Sequence, residues 1–215
     1  MRVISGTAKG RQLKAPPGMG TRPMTDRLKT SLFDTLVPFG VSGARVLDLY
    51  AGSGSIGIEM LSRGAVWCDF VEQNATVCRI IQDNLESTHM ANRGRVYKMA
   101  VDRYLSMKNN TAVGLPSTTE YDIISLDPPY ADPEIGKTLK TVALFPLLAS
   151  DGLVVIGHAN RVKLADEYGQ GRIQRVRHRA MGDSAFTIYE VAGGQDTADK
   201  EESRENIQDD ASTYP

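Results

Sequence analysis

Leu28, Leu32, Phe33 and Leu36 recur at helical spacing after Thr25 and stop at Pro38, which predicts a helix ended by that proline. The pattern then shortens. Arg45–Tyr50 is a short apolar run, broken by Asp48, that ends at glycines, which reads as a buried strand. Residues 56–63 read as a helix with Gly64 just past its end, and Val66–Val71 as a second strand. Asn74 is placed to cap a helix carrying Val77, Ile80, Ile81 and Leu85. Val96–Met99 is a third, weaker strand, and residues 108–119 form a polar loop. Tyr121–Leu126 predicts a fourth strand, Pro133–Leu148 a helix and Leu153–Ile156 a fifth strand. Gly171–Arg179 and Ser184–Val191 then read as two strands joined by Ala180-Met181-Gly182-Asp183, a hairpin. Strand and helix alternate over residues 45–156, which predicts a doubly wound, mostly parallel α/β sheet with antiparallel strands added at one edge. Ligands of such sheets bind beyond the carboxyl ends of the strands.

Composition changes this picture at the two ends. Residues 1–29 carry seven basic side chains, among them Lys9, Arg11, Lys14 and Arg22, against Asp26 alone. Such an arm suits a polyanion, although charge by itself describes a solvated surface segment equally well. Pro16, Pro17 and Pro23 make it extended or looped. Residues 196–215 carry seven acids against Lys200 and Arg204, with few apolar residues, which predicts disorder. The expected organisation is an arm over 1–24, a folded domain over 25–192 and a tail over 193–215. The 215 residues contain no apolar run of membrane-spanning length and begin without the apolar stretch of a signal peptide. Cys68 and Cys78 are too few for a disulfide framework, so a reducing cytoplasm is expected. His89, His158 and His178 form no metal or triad spacing, and no metal site is expected.

The chemistry concentrates at strand ends. Gly52-Ser53-Gly54-Ser55-Ile56-Gly57 fits the G-x-G-x-x-G fingerprint of dinucleotide sites, and Glu72 follows twenty residues after Gly52. Asp48, however, lies inside the preceding strand. A carboxylate there opposes a pyrophosphate, which seeks N–H groups and positive potential, and favours a cationic ligand. S-adenosylmethionine, with an ammonium and a sulfonium and no phosphate, fits better than a nicotinamide cofactor. Glu72 would accept from ribose hydroxyls and Asp102, after the third strand, from the adenine amino group.

Asp127-Pro128-Pro129-Tyr130 follows the fourth strand directly. Two prolines fix a rigid turn and leave carbonyl acceptors. The Asp127 carboxylate and the Pro128 carbonyl are placed to accept both hydrogens of an exocyclic amine, aim its nitrogen at a methyl donor and stabilise the developing positive charge. Tyr130 offers a face on which a flipped or single-stranded base stacks. Arg175, Arg177 and Arg179 alternate along a predicted strand and so share one face, either for phosphates or as the charged guard of an edge strand.

Four segments, "ISGTAKGRQLKAPPGMGTRPMTDRLKTSLFDTL", "VLDLYAGSGSIGIEMLSRGA", "LDPPY" and "GDSAFTIYE", resemble the RsmD family over residues 2–191. Members of that family methylate a guanine N2 of 16S ribosomal RNA in the small subunit. The resemblance implies a class I, Rossmann-like S-adenosylmethionine-dependent methyltransferase fold with a seven-stranded, mostly parallel sheet. It implies cofactor contacts from Asp48, Gly52, Ser53, Gly54, Glu72 and Asp102, and a reacting loop at Asp127–Tyr130. It also places Thr25 near the methionine end of the cofactor. Two departures concern the RNA site: "LKTSLF" lacks an acidic residue usual before its apolar pair, and Gly157-His158 stands where relatives often carry a glutamate. The Asp-Pro-Pro-Tyr motif is shared with adenine-N6 DNA methyltransferases, but residues 108–119 are too short for a DNA-reading domain. A non-catalytic RNA-binding assembly factor on the same fold is the alternative from another class. A monomer acting on 16S rRNA, within a small subunit or assembly intermediate and away from any membrane, is expected.

Overall fold

The computed structural model describes residues 1–16, 24–109, 120–129, 132–144 and 146–193. Arg22, most of the expected loop over 108–119, Tyr130 and the acidic tail lie outside them.

Thr25 caps α1 (Asp26–Leu36), its hydroxyl accepting from the Leu28 N–H at 3.2 Å. Pro38 falls within a single 3-10 turn, Val37–Phe39, that follows the helix. The chain then alternates β1 (Arg45–Leu49), α2 (Ser55–Ser62), β2 (Trp67–Glu72), α3 (Ala75–Ser87), β3 (Gly94–Lys98), α4 (Val101–Asn109), β4 (Tyr121–Leu126), α5 (Ile135–Leu144) and β5 (Leu148–Ala159). Asn74 caps α3 through its Oδ1, as its position predicts. The chain closes with β6 (Glu167–Tyr168), β7 (Ile173–Met181) and β8 (Ser184–Val191). The strand order is β3-β2-β1-β4-β5-β8-β7-β6. The first five strands run parallel, and β8, β7 and β6 add antiparallel pairs. No helix among the described residues is long and apolar enough to cross a membrane.

The sheet has eight strands, not seven. The addition is β6, whose two residues pair with Gln174 and Ile173 and are too few to show any alternation in sequence. The fifth helix is shorter than expected because Pro146 cannot continue it and residues 132–134 form a turn. The fifth strand is longer. Its first residue already pairs with Tyr121, across a register irregularity that precedes Ile123↔Leu153.

Alternate strand residues feed two cores. Val46, Phe70, Ile123, Val155 and Ile188 face α1, α2 and α3. Leu47, Leu49, Val71, Ile124, Val154 and Tyr189 face α4 and α5. Covered on both faces, the inner strands need the continuous apolar runs seen in the sequence.

The arm is part of this core. Val3, Ala8 and Leu13 are buried in the first cluster, and Arg2 bridges to Gln12. Its backbone is held by α2. Glu59, fully buried, accepts the N–H groups of Ile4 at 2.7 Å and Ser5 at 2.9 Å. Glu59 also pairs with Arg63 at 2.9 Å and with Lys29 at 3.6 Å. Lys29 is 1% exposed, and its ammonium also donates to the Arg2 carbonyl. Arg63 in turn lies over the Phe33 ring. One carboxylate thus joins arm, α1 and α2. Glu59→Ala leaves Lys29 buried without its counter-charge and is expected to lower stability by about 3–5 kcal/mol. Urea unfolding measures the loss, and faster tryptic cleavage of the first 16 residues shows the arm released.

Candidate active site

The chain leaves β1 toward β2 and β3 and returns to form β4 on the other side of β1, so a crevice opens where the direction reverses. A cavity of about 520 Å³ occupies it, within the range of small-molecule sites. Its wall is made by the loop after β1, Glu72 and Gln73 after β2, Met99–Asp102 after β3, Asp127–Pro129 after β4, and Asp132, Glu134 and Thr138 around α5. The strand-end residues singled out in sequence thus meet on one rim.

The glycine loop has distinct jobs at its three glycines. Gly52 and Gly54 take positive φ of 53° and 76°, and Gly54 is the N-cap residue of α2. Gly57 lies inside α2 against β2, where a Cβ would fall 2.4 Å from the Phe70 ring and 2.6 Å from Cys68 Sγ. Gly57 is therefore the residue of close helix–strand packing. Gly54 does not line the cavity, whereas Gly52 and Ser53 do.

Asp48 lies at the cavity floor, almost wholly buried. Its Oδ2 accepts the Gly57 N–H at 3.0 Å and its Oδ1 the Ser125 hydroxyl at 2.5 Å. These donors favour the carboxylate, but burial outweighs them and pushes its pKa up to about 7. Glu72 accepts from the Gly52 N–H at 3.1 Å and the Asn74 N–H at 2.8 Å, which ties the end of β2 to the glycine loop. Each of its oxygens keeps a second lone pair for a ligand hydroxyl. Asp102 lies in the first turn of α4 and lines the cavity. Thr25 spends its hydroxyl on capping α1 and is absent from the cavity wall.

Asp127 begins the turn after β4, its N–H donating to the Leu49 carbonyl at 3.3 Å. Burial pushes its carboxyl up to about 6. Pro128 and Pro129 line the cavity beside it, and the Pro129 carbonyl accepts from the Asp132 N–H at 2.9 Å. On β5, a Cβ placed at Gly157 would lie 2.8 Å from Asp127 Oδ1 and 2.8 Å from Met24 Cε. The absent side chain at Gly157 is what gives the carboxylate its place.

Sequence reasoning did not single out Tyr50, Asp132, Glu134 or Thr138. Tyr50 holds a positive φ of 58° and its hydroxyl lies 3.3 Å from that of Thr138, across the cavity mouth. Glu134 falls within the helix expected over Pro133–Leu148, and Asp132 just before it. With them the described wall carries six carboxylates: Asp48, Glu72, Asp102, Asp127, Asp132 and Glu134. It carries no lysine, arginine or histidine.

The basic residues lie elsewhere. Lys14 pairs with Asp83 on α3 at 2.7 Å and Arg11 meets His89, just past the end of α3, at 3.0 Å, both at the surface. Lys9 is exposed in the turn of the arm. The three arginines of β7 do not share one face. The ladder slips between Arg175, opposite Tyr189, and Arg177, opposite Ile188. This bulge at Val176 breaks the two-residue period, so Arg177 and Arg179 share a face while Arg175 lies on the other, paired with Asp166. Two of the three scattered histidines also meet: His158 Nε2 and His178 Nδ1 lie 2.9 Å and 3.0 Å from the Thr187 hydroxyl. Among the described residues no metal-type cluster forms.

The raised carboxyls of Asp48 and Asp127 set a stability slope. In the unfolded chain an aspartate ionises near 3.8, whereas these two ionise near 7 and 6 in the fold. Between those values the native state holds protons that the unfolded chain has released, so stability falls as pH rises and levels off above about 7. The ligand-free chain is expected to melt at lower temperature at about pH 7.5 than at about pH 5 by scanning calorimetry. Asp48→Asn removes the larger part of that difference.

A family model described as Conserved hypothetical protein 95 matches residues 1–190. The Bacillus subtilis protein YlbH is 35% identical over 193 residues, covering 90% of this chain and all of the relative. The Escherichia coli ribosomal RNA small subunit methyltransferase D is 30% identical over 200 residues, covering 93% of this chain and 94% of the relative. Among solved structures, the Escherichia coli methyltransferase yhhF superposes with a TM-score of 0.73 at 28% identity, over 89% of this chain and 97% of that one. A conserved hypothetical protein of Streptococcus pyogenes gives 0.68 at 33% identity, over 78% and 98%. Matched along nearly all of its folded length in sequence and in architecture, the chain belongs to the RsmD family of ribosomal RNA methyltransferases.

Proposed function

We propose that this protein uses S-adenosylmethionine to methylate the N2 amino group of a guanine in 16S ribosomal RNA, as a monomer acting on the small subunit or an assembly intermediate in the cytoplasm. The observation that carries the reading is the cavity wall: six carboxylates, no basic side chain, and the Asp127 turn at its edge. That donor set fits a ligand bearing an ammonium and a sulfonium, and repels the pyrophosphate of a nicotinamide cofactor. The names of the Escherichia coli relative and of other matched relatives support ribosomal RNA as substrate.

In this reading Asp48, Gly52, Ser53, Glu72 and Asp102 hold the cofactor, which when bound supplies an electrophilic methyl group on a positively charged sulfur. Gly54 acts by starting α2, and Thr25 by fixing the start of α1 beside Met24. The guanine N2 lone pair is delocalised into the ring and is a poor nucleophile. Asp127 and the Pro128 carbonyl accept its two hydrogens, turn the nitrogen toward the methyl and offset the positive charge that grows as the N–C bond forms. Asp127, ionising near 6, takes the proton that the methylated amine gives up. Pro129 stiffens the turn, and Tyr130 is assigned the stacking of the splayed base. Residues 1–24 form the RNA-gripping arm, through Lys9, Arg11, Lys14 and Arg22. Residues 25–192 form the catalytic body, with Arg177 and Arg179 as further phosphate contacts, and 193–215 a tail.

The assay uses methyl-labelled S-adenosylmethionine with small subunits and naked rRNA from cells lacking the activity, and DNA as control. Digestion to nucleosides is expected to place the label in N2-methylguanosine; label in N6-methyladenine would move the chain to the DNA-methylating class. Asp127→Ala is expected to lower kcat by about 100-fold or more while S-adenosylhomocysteine still binds. Gly157→Ala is expected to leave the melting temperature nearly unchanged, because the groups it displaces are side-chain ends, yet to lower kcat by displacing Asp127. Arg177→Ala with Arg179→Ala is expected to weaken RNA binding and reduce its salt slope by about one per lost phosphate contact.

A further inference from the structure

The stripe that α3 turns to the core, Val77, Ile81, Asn84 and Leu85, contains one amide. Asn84 is 1% exposed and its side-chain bonds run to two separate segments. Its Oδ1 accepts the Lys14 N–H at 2.8 Å, and its Nδ2 donates to the Lys14 carbonyl at 3.0 Å. The same Nδ2 donates to the Ser53 carbonyl at 2.9 Å. The amide therefore grips one arm residue on both sides, as a neighbouring strand would, and uses its second N–H on the glycine loop.

What lies next to these two anchor points gives the contact its meaning. Ala15 and Pro16 follow Lys14 directly and line the cavity; Gly52 and Ser53 line it from the loop. The arm's other backbone ties run from Ile4, Ser5, Thr7 and Ala8 to α2 and from Arg2 to Lys29 of α1, and within the arm the Leu13 N–H donates to the Met1 carbonyl at 2.9 Å. Lys14 is held besides by its exposed pair with Asp83, an interaction of small worth. The Asn84 clamp is thus the last tie from the arm's backbone to the helices before the wall made by Ala15 and Pro16.

We propose that Asn84 is a positioning residue of the cofactor cavity. It locks the N-terminal arm to the glycine loop so that Ala15 and Pro16 close one side of the site, and it links arm order to cofactor binding. The inference rests on the cofactor reading above. Because binding and ordering are reciprocal, a cofactor-sized ligand in the cavity protects the arm, and a loosened arm weakens the ligand.

The test uses the full chain and S-adenosylhomocysteine, with titration calorimetry for affinity and trypsin for arm order, read as cleavage after Lys14. In the unaltered protein the ligand is expected to bind and to slow that cleavage. In Asn84→Ala the affinity is expected to drop about tenfold, and the ligand to protect the arm no longer. Pro16→Gly loosens the wall with the clamp intact. Combined with Asn84→Ala it is expected to weaken binding by less than the product of the two single effects, because both act through one wall. Asn84→Ser, which keeps a hydroxyl in the buried space, replaces Asn84→Ala if the latter does not fold. If the unaltered protein does not bind the ligand, the cofactor reading fails and this inference with it. If it binds and the folded Asn84 variants bind within twofold and stay protected, the cofactor reading stands and Asn84 only supports the fold.

Discussion

Everything in this molecule depends on β1 being paired on both edges by parallel neighbours, β2 on one side and β4 on the other. That arrangement forces the connections to leave the rim in opposite directions and keeps the crevice between them open. It also buries both faces of the inner strands. A polar side chain on β1 has nowhere to go but into a layer of apolar groups or into the crevice. Asp48 does both. Its oxygens hold the start of α2 and the hydroxyl of Ser125, while its flank forms the cavity floor.

The electrostatics of the crevice follow from this confinement. Asp48 and Asp127 are kept from water by the sheet that positions them, and burial raises both carboxyls. Such a site holds negative charge at a cost and is relieved by a cationic ligand, so its own desolvation selects for charge. The basic groups stay apart from this wall, on the arm and on β7.

The arm connects the two regions. Glu59 fixes its first residues with a buried ion network, and Asn84 fixes its end beside the glycine loop. A segment that composition describes only as basic and rich in small residues is thereby built into the wall of the site.

The sequence by itself determined the elements with strong periods and the residues that follow them. Short apolar runs alternating with helical periods pointed to strands covered on both faces, which located the inner parallel strands and put Gly52, Glu72, Asp102 and Asp127 at one rim. Local hydrogen-bonding rules located the cap at Asn74 and the start of the first helix near Thr25. Asp48 ahead of the glycine loop pointed to the cofactor, and the family resemblance carried the substrate. Tertiary structure decided whatever depends on partners distant in sequence. Val3, Ala8 and Leu13 show no period, so their burial emerges only when α2 presents Glu59 and Ser62 to the arm's N–H groups. The bulge at Val176 moved Arg175 to the opposite face, because a single extra residue in one strand reverses the alternation beyond it. The two-residue β6 exists only as the neighbour of β7. Asn84 and Gly157 carry no signal of their own; one is a polar residue in an apolar stripe, the other an absent side chain. Their roles come from what the fold brings within hydrogen-bond or contact distance of them.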